Sequence, residues 1–261
     1  MAIVRLRPGE LKRAIAENAL SLQFQPQVHT PTGKLVGAEA FVRWPHPSYG
    51  MIGPGDIVAL VEQGALHVEF DRWVVTAVCA QIKRWRSEGF DVAIVAANLW
   101  AQTLRSKEGV EAVSHIVKQS DAPVGSLEIE CPRGTIGDPA LKDAAKRLRK
   151  LGVRVASEEF ADRAAAASAK EYDTLKIGYP IAREITLAGS TSAAAVSAIV
   201  DAARGSGGRV VADSVESPDQ EDALLTLGCE IVQGYLYGPE VSANELKVLA
   251  SAGAKKVDDE E

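Results

Sequence analysis

Two short apolar runs open the chain and are separated by a turn. The runs cover residues 20–28 and 35–44, and the residues between them, 29–33 (HTPTG), contain both proline and glycine. Proline and glycine between two apolar runs are typical of a tight connection between strands. The pattern therefore predicts a β-hairpin at the start of the fold.

Helical and strand-like patterns alternate along the rest of the chain. Apolar positions at helical spacing predict helices at 54–63, 69–87, 138–150 and 192–204. Strands are predicted at 92–99, 126–131, 153–160, 174–177, 209–215 and 230–236. With the hairpin this makes roughly eight strands and favours an α/β fold, a modified TIM-type (β/α)8 barrel with an antiparallel strand at its start. An open doubly wound sheet is the alternative.

Composition and charge narrow the class of protein. The 261 residues are 46% hydrophobic and 25% charged, which is typical of a globular protein. No apolar run is long enough to span a bilayer. The net charge of −6 argues against a nucleic-acid backbone as the main partner, because such partners need a basic surface. Cys79, Cys131 and Cys229 are far apart and indicate neither a disulfide framework nor a metal site.

The two ends of the chain bear on its localisation and on the bounds of its domain. The first twenty residues lack the apolar stretch of a secretory signal and predict an amphipathic helix, so we expect a cytoplasmic protein with no membrane segment. The chain ends in four acidic residues, which no core can bury. We therefore expect one domain over residues 1–250 and a flexible acidic tail over 251–261.

Polar residues are concentrated at the ends of the predicted strands. They are Glu39 with Arg43, Asn98, Glu128 with Glu130, Glu158 with Glu159, Lys176, Asp213 with Glu216, and Gln233. The active site of a β/α barrel lies at the C-terminal ends of its strands, and oxygen ligands suit Mg²⁺ or Mn²⁺. Two such ions could polarise a phosphodiester and activate a water. Each residue alone could be a helix cap or a surface charge, but carboxylates within apolar strands together favour a site.

Seven segments, in order, resemble the EAL domain family. They are residues 24–26 (FQP), 37–44 (GAEAFVRW), 98–99 (NL), 127–129 (LEI), 174–177 (TLKI), 210–216 (VVADSVE) and 233–235 (QGY). The resemblance runs from about residue 20 to residue 239, nearly the whole chain. It implies a modified β/α barrel that binds the second messenger cyclic di-GMP. Active members of the family hydrolyse this nucleotide to linear pGpG with Mg²⁺ or Mn²⁺.

The resemblance also implies roles for individual residues. The implied metal ligands are Glu39, Asn98, Glu128, Glu158 and Glu159, and the last two stand in place of two aspartates. The implied catalytic residues are Glu39, Lys176 and Glu216, with Lys176 contacting the hydrolytic water. The implied ligand contacts are Gln25, Phe41, Arg43, Asp213 and Gln233. Gln25 would contact guanine and Arg43 phosphate, because a planar guanidinium pairs well with phosphate oxygens.

The chain departs from the family pattern at the metal-bridging segment. The family's Asp-Asp-Phe is Glu158-Glu159-Phe160 here, and the loop that follows is rewritten. One added methylene moves each carboxylate by about 1.5 Å, whereas a working site tolerates about 0.5 Å. The chain also differs from the family at Phe41, Glu130, Cys131, Gly178 and Asp213.

These departures predict a degenerate EAL domain that acts in cyclic di-GMP signalling as a receptor or regulatory module with weak or no hydrolysis. A metal-dependent cyclic di-GMP phosphodiesterase is the alternative, because Glu39, Asn98, Glu128 and Lys176 are retained and the carboxylates of residues 158 and 159 can still bind a metal. A protein-interaction module that has lost the nucleotide is a second alternative. The expected cofactor is Mg²⁺ or Mn²⁺ for an active enzyme and none otherwise. The expected partners are cyclic di-GMP and either another protein or a second copy of the chain.

Overall fold

The computed structural model describes residues 6–132, 135–158, 165–187 and 189–253, and of residues 165–167 it describes the backbone alone. Within these ranges the strands are β1 (Ser21–His29), β2 (Lys34–His46), β3 (Gly50–Ile52), β4 (Val95–Asn98), β5 (Leu127–Cys131), β6 (Arg154–Ser157), β7 (Thr174–Ile177), β8 (Arg209–Ala212) and β9 (Ile231–Val232). All except β3 belong to one closed barrel.

The barrel closes because β1 is hydrogen-bonded on both of its sides. The strand order is β1-β9-β8-β7-β6-β5-β4-β2, and β1 also pairs with β2. Strand β1 is antiparallel to both neighbours, whereas all pairings from β2 through β4 to β9 are parallel. The predicted modified TIM-type barrel with an antiparallel first strand is therefore confirmed, and the open sheet is excluded.

Helices cover the outside of the barrel. They are α1 (Pro8–Ala16), α2 (Pro54–Gly64), α3 (His67–Ser87), α4 (Ala101–Arg105), α5 (Lys107–Gln119), α6 (Pro139–Arg149), α7 (Tyr179–Glu184), α8 (Ser192–Ser206), α9 (Pro218–Thr226) and α10 (Ala243–Ala252). Helix α6 begins at the expected residue because Asp138 accepts hydrogen bonds from the N–H groups of Ala140 and Leu141. Two 3-10 helices, Ala165–Glu171 and Tyr235–Tyr237, complete the set within the described ranges.

One apolar core lies between the helices and the outer face of the barrel. Trp85 of α3 is fully buried and packs edge-on against Phe24 of β1, with ring centroids 4.7 Å apart. The Trp85 indole N–H donates to the carbonyl of Ala243, which ties α10 to the barrel. The three cysteines are buried and free.

The inside of the barrel is polar. Strand residues alternate between the two faces of a sheet, and the buried polar side chains include Gln25, Gln27, Glu39, Glu128, Glu130 and Lys176 on the strands and Gln233 directly after β9. Burying charge without a partner is costly, so these side chains must satisfy one another. Their pairings define the two ends of the barrel interior.

Some elements differ from the sequence-based expectation. The predicted hairpin is confirmed, but β2 continues to His46 and pairs with a short strand β3 that the pattern did not predict. Helix α10 runs to Ala252, into the segment expected to be a tail, and residues 254–261 lie outside the described ranges. In the part of the chain that the structure describes, no helix is both long and apolar enough to cross a membrane.

Candidate functional site

A cavity of about 370 Å³ lies at the C-terminal ends of the parallel strands. Its polar side is formed by Glu39, Asn98, Glu130, Glu158, Lys176 and Asp213. Its apolar side is formed by Phe41, Val42, Pro54, Ile57, Val58, Phe70, Val74, Leu99, Trp100 and Pro132. A cavity with an apolar wall and a few convergent polar groups is typical of a small-molecule site.

The Lys176 ammonium is at the centre of the polar side. Lys176 Nζ lies 2.6 Å from Glu39 Oε2 and 3.0 and 2.9 Å from the two carboxylate oxygens of Glu130. Asp213 Oδ2 is farther, at 3.9 Å. Lys176 and Glu39 are buried and Glu130 is 1% exposed. A lysine from β7 thus bridges a carboxylate from β2 and another from β5.

Two amide side chains orient Glu39, and a third bonds one of them. Asn98 Nδ2 donates to Glu39 Oε1 at 2.5 Å, and Gln233 Nε2 donates to Glu39 Oε2 at 2.7 Å. Gln233 Nε2 also donates to Gln25 Oε1 at 3.0 Å. Because both Glu39 oxygens accept hydrogen bonds, the carboxylate is held in a single orientation.

The pKa values of the cluster follow from burial and from the shared ammonium. Burial raises the pKa of Glu39, but Lys176, Gln233 and Asn98 together outweigh it and hold that pKa below its usual range. Burial and the neighbouring Glu39 charge raise the pKa of Glu130. Burial lowers the pKa of Lys176, but Glu130 and Glu39 more than reverse this and raise it. The ammonium therefore stays charged among the carboxylates.

Glu128, which the family resemblance implies as a metal ligand, lies away from this cluster. The side chain is fully buried, but Glu128 Oε2 accepts from Thr174 Oγ1 at 2.5 Å and from Arg154 Nε at 3.2 Å. The physical reason is register: Glu128 is paired with Arg154, whereas Glu130 is paired with Asn98. Glu130, one alternation closer to the C-terminal end of β5, occupies the place expected of Glu128.

Glu216 also lies outside the cluster, and Asp213 takes the place expected of it. Ser214 adopts a left-handed backbone conformation, with φ of 59°, and its N–H donates to Asp213 Oδ1 at 2.6 Å. After this turn Glu216 is exposed, and its backbone N–H donates to Gln220 Oε1. Burial raises the pKa of Asp213, and Lys176 opposes that shift.

The two consecutive glutamates are only partly described. Glu158 lines the cavity, and its backbone N–H donates to the carbonyl of Cys131 at 2.9 Å, which fixes the end of β6 against β5. Glu159 lies outside the described residues.

The expected ligand contacts lie at different depths. Gln25 is buried inside the barrel and donates to the carbonyl of Gly238 at 3.4 Å. Phe41 lines the cavity. Arg43 sits with its guanidinium carbon 5.9 Å from the centre of the Phe41 ring and pairs with Glu240 at 3.2 Å.

The position of Gln233 depends on Gly234. Gly234 has φ of 149°, and a Cβ at this position would lie 2.3 Å from the backbone N and O of Val215. This close approach allows the Val215 N–H to donate to the Gln233 carbonyl at 3.0 Å. Any side chain at 234 would push the segment after β9, which carries Gln233, away from the segment after β8, which carries Val215.

Asp71 is a site-supporting residue that the sequence reasoning missed. It is fully buried on α3, and its Oδ2 accepts from the N–H of Trp100 at 2.9 Å. Trp100 starts α4 directly after the β4 end that carries Asn98. Burial raises the pKa of Asp71 to about 8. The signal in the sequence was a single acid among the apolar positions of α3.

The arrangement of the described side chains does not fit a divalent ion. Oxygen donors of the type that Mg²⁺ and Mn²⁺ prefer do line the cavity. Among the described residues, however, no three acidic, histidine or cysteine side chains are gathered closely enough to hold an ion. Lys176 Nζ stands between Glu39 and Glu130 instead. The positive charge that compensates these carboxylates is a side chain of the protein itself.

Comparison with known proteins agrees with this architecture. The model of the EAL domain family matches residues 9–240. The bifunctional diguanylate cyclase/cyclic di-GMP phosphodiesterase MucR of Pseudomonas aeruginosa is 30% identical over 249 residues, which is 91% of this chain and 35% of that protein. The cyclic di-GMP phosphodiesterase PA2567 of the same organism is 29% identical over 247 residues, 91% of this chain and 41% of that protein. The chain thus spans less than half the length of these relatives.

Solved structures of EAL domains have the same fold as this chain. The PaMucR phosphodiesterase in complex with c-di-GMP has a TM-score of 0.80 at 30% identity and covers 91% of this chain and 98% of its own. The EAL domain of Mycobacterium smegmatis DcpA has a TM-score of 0.72 at 26% identity, covering 92% of this chain and 100% of its own. The family model covers most of the chain, and the barrel has the same fold as these structures. The chain belongs to the EAL domain family.

Proposed function

We propose that this chain binds cyclic di-GMP in the cavity of the candidate site and acts as a receptor or regulatory module with weak or no hydrolysis. The observation that carries the proposal is the Lys176 ammonium, which lies 2.6 Å from Glu39 and 2.9 Å from Glu130. Carboxylates neutralised by a buried lysine need no metal ion to remain in place. A site held in this way supports ligand binding better than metal-dependent chemistry.

The wall of the cavity supports recognition of a nucleotide. The aromatic residues Phe41 and Trp100 and the apolar Ile57 line this wall. Nucleobases stack on aromatic faces without regard to metal content. Arg43 lies beside Phe41 and is the guanidinium that suits a phosphate at this edge. The PaMucR structure, to which this chain is 30% identical, holds c-di-GMP.

In this proposal the polar residues position the ligand rather than activate water. Asn98 and Gln233 fix the Glu39 carboxylate, and Lys176 holds Glu130 next to it. The carboxylates can accept hydrogen bonds from ligand hydroxyl or amino groups at the cavity floor. As a regulatory module the chain would act on another protein or on a second copy of itself. Size-exclusion chromatography with and without ligand distinguishes these two outputs.

A metal-dependent phosphodiesterase that produces pGpG is the second candidate. Asn98, Glu130, Glu158 and Asp213 line one cavity with Glu39, and oxygen donors of this kind favour Mg²⁺ or Mn²⁺. In this function a metal ion would share the charge compensation that the Lys176 ammonium now provides between the two glutamates, and Lys176 would contact the hydrolytic water, as the family resemblance implies. Release of pGpG by the purified protein with Mn²⁺ is the result that separates the two candidates.

The test of binding is a calorimetric titration of cyclic di-GMP into the protein, once with EDTA and once with Ca²⁺. We expect saturable binding in EDTA, with Phe41→Ala weakening it by roughly tenfold through loss of one aromatic stacking contact. Val248→Ala is the matched control, because Val248 is 68% exposed on α10 and does not line the cavity. Absence of binding in both conditions would overturn the proposal and leave a protein-interaction module.

A further inference from the structure

Arg43 is already paired within the chain. Arg43 Nη2 lies 3.2 Å from Glu240 Oε1, and their side chains are 10% and 21% exposed. Nη1 of the same guanidinium donates to the carbonyl of Val42 at 3.2 Å. The ion pair is therefore shielded from bulk solvent, which strengthens it relative to a surface pair.

Hydrogen bonds on both sides of Glu240 hold its chain segment against β1. The N–H of Val241 donates to the carbonyl of Phe24 at 2.9 Å, and the N–H of Phe24 donates to the carbonyl of Val241 at 2.7 Å. On the other side, Gln25 Nε2 donates to the carbonyl of Gly238 at 3.4 Å. Glu240 thus lies on a segment that is hydrogen-bonded to β1, within reach of Arg43 on the neighbouring strand β2.

The charge balance makes this pairing consequential. The polar side of the cavity presents Glu39, Glu130, Glu158 and Asp213 against the single ammonium of Lys176. Arg43 directly follows Val42 and lies beside Phe41, which both line the cavity, so we expect an anionic ligand in the cavity to depend on Arg43. The Glu240 carboxylate offers that guanidinium the same kind of oxygen as a phosphate does. A phosphate group can gain Arg43 only by sharing it with the carboxylate or by displacing it.

We propose that Glu240 competes with the phosphates of the bound nucleotide for Arg43 and so sets the affinity of the site. This inference rests on the proposed function and goes beyond it, because it names a residue outside the cavity that limits binding. Removing the Glu240 charge should free the guanidinium without changing the fold, since the carboxylate is replaced by an amide of the same shape.

The experiment is a set of calorimetric titrations of cyclic di-GMP in EDTA, at low and at high ionic strength. Glu240→Gln should bind roughly three- to tenfold tighter than wild type, the range expected for removing one partly screened charge. Arg43→Gln should bind more weakly, and adding Glu240→Gln to it should change nothing further, because the two residues act through one contact. The gain should shrink at high ionic strength.

Glu108→Gln is the matched control, since it removes one acidic charge at an exposed position of α5 and should leave affinity unchanged. Glu240→Ala provides a second variant, and thermal melting checks that each variant is folded. Equal or weaker binding by Glu240→Gln and Glu240→Ala, while wild type binds, would overturn this inference alone. No binding by any protein, including Glu240→Gln, would overturn the proposed function and this inference with it.

Discussion

Replacing Lys176 by methionine removes the positive charge at the centre of the candidate site. Methionine keeps the unbranched shape of the side chain, is shorter by the terminal nitrogen, and leaves Glu39 and Glu130 without their shared ammonium. At the observed separations of 2.6 and 2.9 Å, an effective dielectric constant of about 20 gives roughly 6 kcal/mol of attraction for each contact. Desolvation offsets much of this, so breaking the buried pairs should cost about 3–5 kcal/mol of unfolding free energy.

The stability lost in the Lys176→Met variant should depend on pH. The pKa of Glu130 is already raised in the wild type; without the ammonium it should rise further, and burial should raise the pKa of Glu39 as well, because Lys176 is the main group that now lowers it. A carboxyl with a raised pKa binds more protons when folded than when unfolded, so the stability of the variant falls as pH rises. The difference from wild type should therefore be larger at about pH 8 than at about pH 5.5.

Urea denaturation at both pH values measures this difference, with Lys118→Met as control because Lys118 is exposed on α5. Removal of the ammonium should also open the carboxylate cluster to cations, so Mn²⁺ should raise the melting temperature of Lys176→Met more than that of wild type. The reasoning is refuted if Lys176→Met loses less than about 1 kcal/mol at both pH values. Equal stabilisation of both proteins by Mn²⁺ would contradict the placement of the ammonium.

Three further predictions concern residues around the site. Because burial raises the pKa of Asp71 to about 8, its folded form holds a proton that the unfolded form releases, and stability should fall between about pH 4 and pH 8. Asp71→Asn should flatten that slope, as thermal melts across this range would show. Gly234→Ala should cost more than about 2 kcal/mol by urea denaturation, because its Cβ meets the Val215 backbone at 2.3 Å. Glu128→Gln should cost roughly 2 kcal/mol by the same method through its buried bonds, yet leave the calorimetric affinity for cyclic di-GMP unchanged. A loss of affinity in Glu128→Gln would contradict this prediction and indicate that Glu128 contributes to ligand binding.

The barrel itself could be predicted from the sequence because its signals are local. Alternating strand and helix patterns set the element order, and the Pro-Gly turn after His29 set the first hairpin, where the N–H of Gly33 donates to the carbonyl of His29. The small strand β3 was missed because three residues carry too little periodicity. Its pairing with β2 is a tertiary contact that no local pattern encodes.

Depth within the barrel could not be predicted from one strand alone. Glu128 and Glu130 both face the interior, since they are two residues apart on β5. Only the register against Asn98 on one side and Arg154 on the other separates them. The rule that sites lie at C-terminal strand ends favoured Glu130, the later of the two.

Orientation after a strand was equally hard to predict. Asp213 and Glu216 differ by the left-handed turn at Ser214, which sends one side chain toward Lys176 and leaves the other exposed. A non-glycine residue in that conformation is uncommon, so the sequence gives no warning of the turn. Asp71 was missed for a different reason, because its function is to support Trp100 from another helix.

The most direct test of the central claim is a turnover assay under conditions in which the site is filled with ligand. The purified protein is incubated with saturating cyclic di-GMP and Mn²⁺, and the linear product pGpG is separated and quantified over time. We expect the bound nucleotide to be recovered largely intact, with little or no more pGpG than the Glu39→Ala variant gives. Repeated turnover to pGpG that Glu39→Ala abolishes would contradict it and establish the phosphodiesterase instead.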